Sequence, residues 1–452
     1  MSKTITIKKG YNINIRGVAE RRITPLPFSD VVALKPHNFP TIIPKLLVEV
    51  GQEILAGQPL FYDKNNPKIR LPSPVSGEVV EIIRGEKRRI MEISVLPDQE
   101  TRYQTFSTPN LQETDRETII DQLLESGCWS YIKQRPYSLI ANPDNTPKAI
   151  FVSCFDSAPL APDLGFIIEQ ERDSFQTGLQ VLHKLSHGHL HVSLRDEKEE
   201  RLTESDFKDI SIGSLHHFKG PHPAGNVGIQ IHHIDPIQKG DIVWYVHPQD
   251  VIIIGRLFAE GRYRANRVIA LTGSCVSQPQ YFNVMTGQRL SSMTNNQLNT
   301  NDYRLIQGNI LTGEKTQPDD FLSYYQNQLT AIPEGKEPEF LGWLLPRFHK
   351  LSLSRSYFSW LMPNRAYNLN TNTNGEERAF VITGQYDKVL PMNILPVYLL
   401  KAILAKDIER MEQLGIYEVA EEDFALCEFG CTSKIDVQRI IADGLDYIRR
   451  EG

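Results

Sequence analysis

The stretch GPHPAGNVGIQIHHIDPIQKG at 220–240 brings together residue types that serve three different chemistries. Glycine-rich turns can hold a phosphate, histidines can bind a metal ion, and prolines can order a loop. Its glycines, in Gly225-Asn226-Val227-Gly228, form neither the dinucleotide fingerprint nor a P-loop, because no glycine triplet and no GK[ST] follows. We therefore predict an ordered loop that leads into a strand.

The histidines of this stretch do not have the spacing of a metal site. His232 and His233 are adjacent, and neighbouring side chains of an extended segment point to opposite faces, so the two cannot easily share one ion. His222 can approach one of them after a turn, but no carboxylate or thiolate offers itself as a third ligand. The stretch therefore predicts no metal site.

A second group of histidines lies in SHGHLHVSL at 186–194, where His187, His189 and His191 alternate with other residues. This period of two places them on one face of a strand, which would suit a metal ion. The positions between them in the strand are mainly apolar, as expected for the inner face of a half-buried strand. The pattern favours a strand whose histidines lie on its solvated face.

Two of the five cysteines, Cys427 and Cys431 in CEFGC, are close in sequence. A CxxxC pair lacks the four thiolates that an iron–sulfur cluster normally needs, and the other three, Cys128, Cys154 and Cys275, have no complementary spacing. The odd number and wide separation also argue against a secreted disulfide framework. We expect reduced thiols that pack inside a helical turn.

Residues 46–83 consist of short β-rich runs separated by Gly and Pro turns, which predicts a small all-β unit. The pieces VGQEILAGQPLF and SPVSGEVVEI resemble the two hairpins of biotinyl or lipoyl carrier domains. In those carriers a modified lysine lies on a tight turn between the hairpins. The candidates here, Lys64 and Lys68, straddle the expected register. We predict a structural domain without a prosthetic group.

Beyond residue 114, helical and strand patterns alternate, which is typical of a parallel α/β sheet. Thr114-Asp115-Arg116-Glu117 has the spacing of a capping box and predicts the start of a helix. Strands are predicted at 149–155, 189–194 and 209–215, and helices at 173–185 and 247–261. A further β-rich unit begins at 267, and the last hundred residues read as mainly helical. There, one apolar helix face is predicted from residues three and four apart: Val397, Leu400, Leu404, Ile408 and Met411.

Composition and charge exclude several function classes. The 452 residues are too many for one hydrophobic core, and 40% hydrophobic with 23% charged residues indicates a folded chain. The net charge of −6, without a strongly basic tract, makes nucleic acid an unexpected partner. Prolines, Asn393 and Lys401 interrupt the apolar segment from Val389, so we predict no membrane span, and the polar N-terminus predicts a cytoplasmic protein.

Four stretches together closely resemble the NqrA family, the A subunit of the sodium-translocating NADH:quinone reductase. They are GPHPAGNVGIQIHHIDP, VWYVHPQDVIIIGRLFAEG, RVIALTGSCVSQPQYF and the tail from ITGQYDKVLPM to CEFGCTSK. The resemblance spans nearly the whole chain. It implies a barrel-sandwich domain at 1–100, a Rossmann-like α/β domain at 101–262, a β-grasp (SLBB-like) domain at 263–330 and a mainly helical domain at 331–452.

The resemblance also implies a place in a complex. The chain would dock on the cytoplasmic face of the bacterial inner membrane, beside the membrane-embedded B subunit and with the C, D, E and F subunits. That complex oxidises NADH, reduces quinone and exports sodium ions. FMN, FAD, riboflavin and iron–sulfur centres are expected in the other subunits, and no permanently bound cofactor or metal ion in this one. A quinone would need an apolar slot with a donor to its carbonyl, for which His222 and His232 are the candidates.

The chain also looks like a shortened cousin of the C subunit of the Rnf complex and of the flavoprotein subunit of respiratory complex I. Those proteins use a glycine-rich loop for FMN and NADH, and cysteine sets for clusters. Here the corresponding loop reads GPHPAGNVG, whose prolines remove amide donors, and Thr432 replaces the proline of the family's CxxxCP pattern. The alternative is a self-contained flavin or iron–sulfur oxidoreductase of the Rnf type.

Overall fold

The computed structural model describes residues 4–27, 29–196, 202, 207, 213–336 and 347–452. Its strands are β1 Thr4–Thr6, β2 Glu20–Pro25, β3 Val32–Leu34, β4 Pro44–Leu46, β5 Glu53–Ile54, β6 Pro59–Asp63, β7 Arg70–Pro72, β8 Gly77–Arg84, β9 Ile90–Pro97, β10 Lys133–Arg135, β11 Leu139–Ile140, β12 Ile150–Ser153, β13 Leu190–Arg195, β14 Ser214–Lys219, β15 Val243–Tyr245, β16 Asn266–Thr272, β17 Gln280–Met285, β18 Tyr303–Gln307, β19 Glu314–Thr316 and β20 Gln328–Pro333. Its α-helices are α1 Arg116–Glu125, α2 Leu164–Gln170, α3 Arg172–Leu185, α4 Val227–Ile234, α5 Pro248–Glu260, α6 Ser291–Thr294, α7 Pro396–Leu404, α8 Ile408–Gln413, α9 Ala425–Phe429 and α10 Val437–Glu451.

The N-terminal unit is all-β between residues 32 and 97, as predicted. One sheet has the order β3-β9-β8-β5 and the other β4-β6-β7, and their apolar residues face each other in a shared core. Lys64 and Lys68 both lie in the loop that joins β6 to β7. The Lys68 ammonium lies 2.9 Å from the Asp144 carboxylate, so this lysine contacts the α/β unit.

The first 25 residues complete two other sheets. β1 pairs in parallel with β14 of the α/β sheet, and β2 pairs in parallel with β17 of the sheet that follows it in sequence. No sequence pattern indicated this exchange, because three or six residues at a sheet edge are too few to identify their partner. The N-terminal segment therefore ties three units together.

The α/β unit has a seven-stranded sheet with the order β1-β14-β13-β12-β15-β10-β11. The first five strands of that order are parallel, whereas β10 pairs antiparallel with β15 and with β11, which confirms the predicted α/β alternation. α3 and α5 form where helices were predicted, and Gly261 ends α5 with a left-handed φ of 66°. Of the strand predicted at 209–215, residues 209–212 lie outside the described part of the chain.

Three local predictions differ at least in part from the structure. The stretch after Asn226 is not extended but forms α4, because it must cross from β14 to β15 and is covered by apolar residues on two sides. Ile231 packs with the sheet, while Ile229 packs with the C-terminal segment, so alternating isoleucines suit a helix that is buried on two sides. The capping box is also displaced: Asp115 caps α1 by accepting from the Thr118 amide.

The histidine strand is the third difference. β13 begins at Leu190, and its apolar face is buried as expected. Its other face is covered as well, because Ser193 is only 1% exposed. His191 is half-buried there, with its ring stacked 4.7 Å from Phe151 and its Nδ1 2.9 Å from His216 Nε2. His187 and His189 are exposed, as predicted, but they precede the strand, whereas His191 within β13 is half-buried because β13 lies in the middle of the sheet.

A six-stranded mixed sheet, with the order β19-β18-β20-β16-β17-β2, follows the α/β unit. The α-helices of the tail begin at Pro396, whereas the described part of 347–395 has two 3-10 turns, at Phe358–Leu361 and Tyr386–Lys388. The predicted single helix face is interrupted, because α7 ends at Leu404, which is 58% exposed, and α8 begins at Ile408. Val397, Leu400 and Met411 are buried.

Candidate functional site

The carboxyl edge of the α/β sheet is where ligands bind in doubly wound folds, at the point where the strand order changes direction. Here that point lies at β12, because the chain passes from β12 to β13 and β14 on one side and returns to β15 on the other. Three elements meet at this edge: the residues after β12, the loop 220–226 after β14 and the first turn of α4. The C-terminal segment around Asp423 covers them.

The backbone amides of the loop 220–226 are already used within the protein. The amides of His222 and Gly225 donate to Asn12 Oδ1 and Ser157 Oγ, at 2.8 Å each. Two further amides of the loop each donate to the carbonyl of the proline three positions earlier. A phosphate cradle needs amides that point toward an empty space. This loop is therefore built as a closed turn, as the sequence predicted.

The N-terminus of α4 faces a carboxylate of the chain itself. A Cβ built on Gly228 would lie 2.6 Å from Asp423 Oδ2 and 2.5 Å from an Arg135 guanidinium nitrogen. The Asn226 side-chain amide donates to the Glu422 carbonyl at 3.2 Å. Helix N-termini attract anions through their free amides and their dipole. Asp423 thus lies against the first turn of α4, the part of the helix that a ligand phosphate would approach.

Arg135, from β10, holds this carboxylate pair together. Its guanidinium is 1% exposed and donates to Asp423 Oδ2 at 2.8 Å and to Glu422 Oε1 at 2.7 Å. Asp423 is fully buried at its side chain and also accepts from the Ala420 amide at 2.9 Å. The ion pair raises the pKa of Arg135 against the opposing effect of burial. A buried, doubly bonded arginine fixes geometry and leaves no positive charge for a ligand.

A third carboxyl group lies at this edge. Asp156, just after β12, accepts from the Ala158 amide at 2.7 Å, and burial raises its pKa. Burial and then the charges of Asp423 and Asp156 raise the pKa of Glu422, while Arg135 lowers it. Burial therefore disfavours the charged forms of both Asp156 and Glu422 at this edge.

His222 lies in the closed loop, 4% exposed. Its Nδ1 is 3.1 Å from Ser157 Oγ, which already accepts from the Gly225 amide. The hydroxyl hydrogen of Ser157 is therefore free to donate to Nδ1, and this arrangement places the ring proton on Nε2. Burial lowers the pKa of His222 to about 4, so the ring is neutral near neutral pH. His222 can thus offer one N–H donor.

His232 lies in the last turn of α4, where both of its ring nitrogens are in use. Nδ1 is 2.6 Å from Glu418 Oε2, and Nε2 accepts from the Asn393 amide at 3.0 Å. The structure thus gives His222 and His232 different partners, near opposite ends of α4. A ligand carbonyl at His232 would have to displace a carboxylate of the chain.

Two surface clefts are lined by other residues. One, of about 530 Å³, lies on the barrel-sandwich unit and is lined by Leu47, Gln58, Pro59, Tyr62, Pro67 and Arg70. The other, of about 270 Å³, lies between Pro40, the turn at Tyr137 and α10. Neither His222 nor His232 lines them.

The cysteine pair packs inside the C-terminal core. Cys427 is in α9, Cys431 follows it, and both are buried. The Tyr386 hydroxyl lies 2.9 Å from Cys431 Sγ, and burial raises the pKa of the Cys427 thiol. This is the packed helical turn expected from the sequence. Throughout the described residues, no three His, Cys, Asp or Glu side chains gather in a way that would hold a metal ion.

A further buried polar group joins the α/β unit to the sheet after it. Arg267 donates to Asp250 at 2.5 Å, and the His247 ring next to them has its pKa lowered to about 3, chiefly by burial. The Lys133 ammonium lies 3.7 Å from the centre of the Tyr325 ring, and burial lowers its pKa. The Arg267–Asp250 and Lys133–Tyr325 contacts both join the α/β unit to the following sheet. We therefore assign this group a structural role.

Sequence reasoning missed Arg135, Glu422 and Asp423. Asp423 is 288 residues from its partner, and neither residue belongs to a recognisable motif. The one available signal was the alternation in WSYIKQRP, which places Arg135 in line with residues of a buried strand. In the part of the chain that is described, no helix is both long and apolar enough to cross a membrane.

Comparison with known families matches three consecutive parts of the chain. Residues 5–98 match the NqrA N-terminal barrel-sandwich hybrid domain, 114–263 the NqrA second alpha/beta domain, and 268–317 the NQRA C-terminal domain. The matches confirm a barrel-sandwich unit followed by an α/β unit and a C-terminal unit. In the structure, two antiparallel sheets are followed along the chain by the mixed sheet of the α/β unit and by the six-stranded mixed sheet. A solved NAD+-reducing [NiFe]-hydrogenase in the air-oxidized state aligns at 10% identity with a TM-score of 0.39, over 76% of this chain and 62% of that one.

Relatives match over almost the full length. The chain is 35% identical over 451 residues to the Na(+)-translocating NADH-quinone reductase A subunit of Vibrio atlanticus (strain LGP32), covering 99% of this chain and 100% of that protein. It is 38% identical, with the same coverage, to the A subunit of Hahella chejuensis (strain KCTC 2396). The chain therefore belongs to the NqrA family, the A subunit of Na(+)-translocating NADH-quinone reductase.

Proposed function

We propose that this chain is a peripheral subunit of a sodium-pumping NADH:quinone oxidoreductase, which couples NADH oxidation and quinone reduction to sodium export. The observation that supports this most directly is the full-length match to the A subunits of that complex. In this proposal the chain docks on the cytoplasmic side of the inner membrane. Its neighbours are the membrane-embedded B subunit and the C, D, E and F subunits.

Within that complex, the chain holds no permanently bound redox cofactor. The support is the position of Asp423 against the first turn of α4, with Arg135 paired to it. These groups occupy the place where a Rossmann-like domain would hold a pyrophosphate. FMN, FAD, riboflavin and iron–sulfur centres then belong to the other subunits. The finer fold assignments, a Rossmann-like α/β unit and a β-grasp unit, are part of the same proposal.

A contribution to quinone access is assigned to His222 in preference to His232. A quinone carbonyl accepts a hydrogen bond, and the Ser157 contact leaves the Nε2–H of His222 as a donor. At His232 the Glu418 carboxylate and the Asn393 amide take both nitrogens. The His222 ring is buried, so a quinone would reach it only after the loop 220–226 moved.

The proposal is tested by purification from membranes with an affinity tag on this chain. The expected result is a complex that contains the membrane subunit and shows NADH-driven, sodium-dependent quinone reduction. Isolation of the chain alone, without any membrane subunit, would contradict it. An Rnf-type flavin or iron–sulfur oxidoreductase would instead give a yellow or brown isolated chain with visible absorption.

Quinone access is tested separately in the purified complex. His222→Asn keeps an acceptor for Ser157 but removes the Nε2–H, and should raise the KM for quinone several-fold while leaving NADH oxidation by artificial acceptors unchanged. His232→Asn is the matched control and should leave that KM unchanged. Equal effects of the two substitutions would remove His222 from the quinone path.

A further inference from the structure

Residues 347–367 place a group of large apolar side chains on the protein surface. Phe348 is 53% exposed, Phe358 37%, Trp360 50% and Leu361 55%. The rings of Phe348 and Phe358 lie together, with their centres 5.3 Å apart. We call these four residues the aromatic patch. Contiguous apolar surface of this kind usually marks an interaction site, because leaving it in water is unfavourable.

The backbone of this segment directs the side chains of the aromatic patch toward solvent. Between Tyr357 and Trp360, side chains alternate between buried and exposed, with Tyr357 and Ser359 on the buried side. Further along, the Tyr367 amide donates to the Asn14 carbonyl at 2.8 Å, which pairs this segment with the N-terminal strand region. The aromatic side chains therefore face outward from an anchored segment.

The same segment carries only positive charge. From 347 to 375 the sequence contains four basic side chains and no Asp or Glu, although the whole chain has a net charge of −6. The basic residues are Arg347, Lys350, Arg355 and Arg365. Arg365 donates to the Phe348 carbonyl at 3.0 Å, so a guanidinium lies beside the ring pair. Arg355 is exposed at a left-handed turn.

We propose that the aromatic patch binds the surface of a bilayer that contains anionic phospholipid. Tryptophan and phenylalanine insert at the level of the lipid headgroups, and Arg and Lys attract the headgroup phosphates. A protein partner would need acidic residues matched in position to the exposed Arg355 and Arg365. An anionic bilayer presents negative charge at every point. This surface is inferred from its own residues and does not depend on the proposed function.

The test uses the full-length chain and vesicles of defined composition. We expect it to sediment with phosphatidylcholine vesicles that contain about 30% phosphatidylglycerol, and not with pure phosphatidylcholine vesicles. Raising the salt to about 0.5 M should weaken the binding, because the charges are then screened. Lipids brominated near the headgroup should quench part of the tryptophan fluorescence, since Trp360 enters the interface.

Two variants separate insertion from folding. Phe348→Ser with Trp360→Ser should reduce vesicle binding by on the order of tenfold or more. Trp360→Phe should keep most of the binding but lose the bromolipid quenching. Tyr398→Ser is the matched control, because Tyr398 is 53% exposed on α7, and its binding should equal that of the unchanged chain. All variants should keep the same thermal transition by circular dichroism.

The proposal is overturned if the unchanged chain fails to sediment with the anionic vesicles, or if it binds neutral vesicles equally well. Unchanged binding of the double variant would also overturn it. The unchanged chain could fail to bind vesicles while the Trp360→Ser variant no longer co-purifies with the membrane subunits. In that case the aromatic patch is a protein interface, and the lipid assignment is wrong. A chain that binds vesicles but joins no complex would retain this inference and lose the proposed function.

Discussion

Arg135 and Asp423 form a buried ion pair at 2.8 Å that joins β10 of the α/β unit to the C-terminal segment. The pair lies against Gly228 in the first turn of α4, where a bound phosphate would otherwise be stabilised. One contact therefore does two things: it attaches the C-terminal segment to the α/β unit, and it places a carboxylate of the protein against the first turn of α4. Substitutions on either side of this contact test both roles.

Asp423→Asn should destabilise the chain by about 3–5 kcal/mol, because it removes the fully buried charge partner of Arg135 and leaves only the partly exposed Glu422. The measurement is the urea midpoint of unfolding. Glu53→Gln is the control, since the Glu53–Arg102 pair is largely exposed and its loss should cost about 1 kcal/mol or less. Equal midpoints for the Asp423 variant and the control would contradict the role given to this pair.

Gly228→Ala should also destabilise the protein, by about 1–3 kcal/mol, through overpacking. The new methyl group would meet Asp423 and Arg135 at under 3 Å. In an ordinary helix the same change stabilises by about 1 kcal/mol, so the sign of the effect is informative. Gly375→Ala is the comparison, because its added Cβ would meet only the flexible Lys434 side chain. A stabilised Gly228 variant would show that the carboxylate does not lie against α4.

The sequence was informative about elements with strong local patterns. α5 was placed by its first-turn proline and by Gly261, and the β-rich N-terminal unit by its turns. The sequence-based prediction was wrong at α4, where a strand was expected. A helix that is buried on two sides can carry alternating isoleucines, which is also the pattern of a strand. Sequence reasoning also failed for Asp423 in the site, since a contact made across 288 residues leaves no local pattern. Which carboxylate lies against the first turn of α4 depends on its position in the folded chain and not on its residue type.

Acid should weaken the fold through His222. Burial lowers the pKa of this ring to about 4, so between about pH 6.5 and pH 4 the unfolded chain binds a proton that the folded chain does not. Stability contributed by the neutral ring is present above that window and is lost as the pH falls through it. The raised pKa of Asp156 acts in the opposite direction, so the comparison must be made between variants.

His222→Asn removes this titration. Between about pH 7 and pH 5 the variant should lose about 2 kcal/mol less stability than the unchanged chain, as measured by urea unfolding at each pH. His187→Asn serves as the control, because it makes the same substitution in the exposed turn before β13. Identical slopes for the unchanged chain and the His222 variant would mean that the ring is not buried in its neutral form.

The thiols should be unreactive in the folded chain. All five cysteines are buried, and burial raises the pKa of Cys128, Cys154 and Cys427. Because the thiolate is the reactive form, we expect an aromatic disulfide reagent to label the native chain slowly and the urea-unfolded chain at five sites. Rapid labelling of a native thiol would show that at least one cysteine lies open to solvent.

The central claim is that α4 is closed by Asp423, so that this chain holds no flavin or dinucleotide of its own. The most direct measurement is the flavin and iron content of the purified full-length chain, together with a fluorescence titration with NADH. We predict far less than one flavin or iron per chain and no saturable NADH binding. One FMN per chain, or saturable NADH binding that competes with FMN, would contradict it.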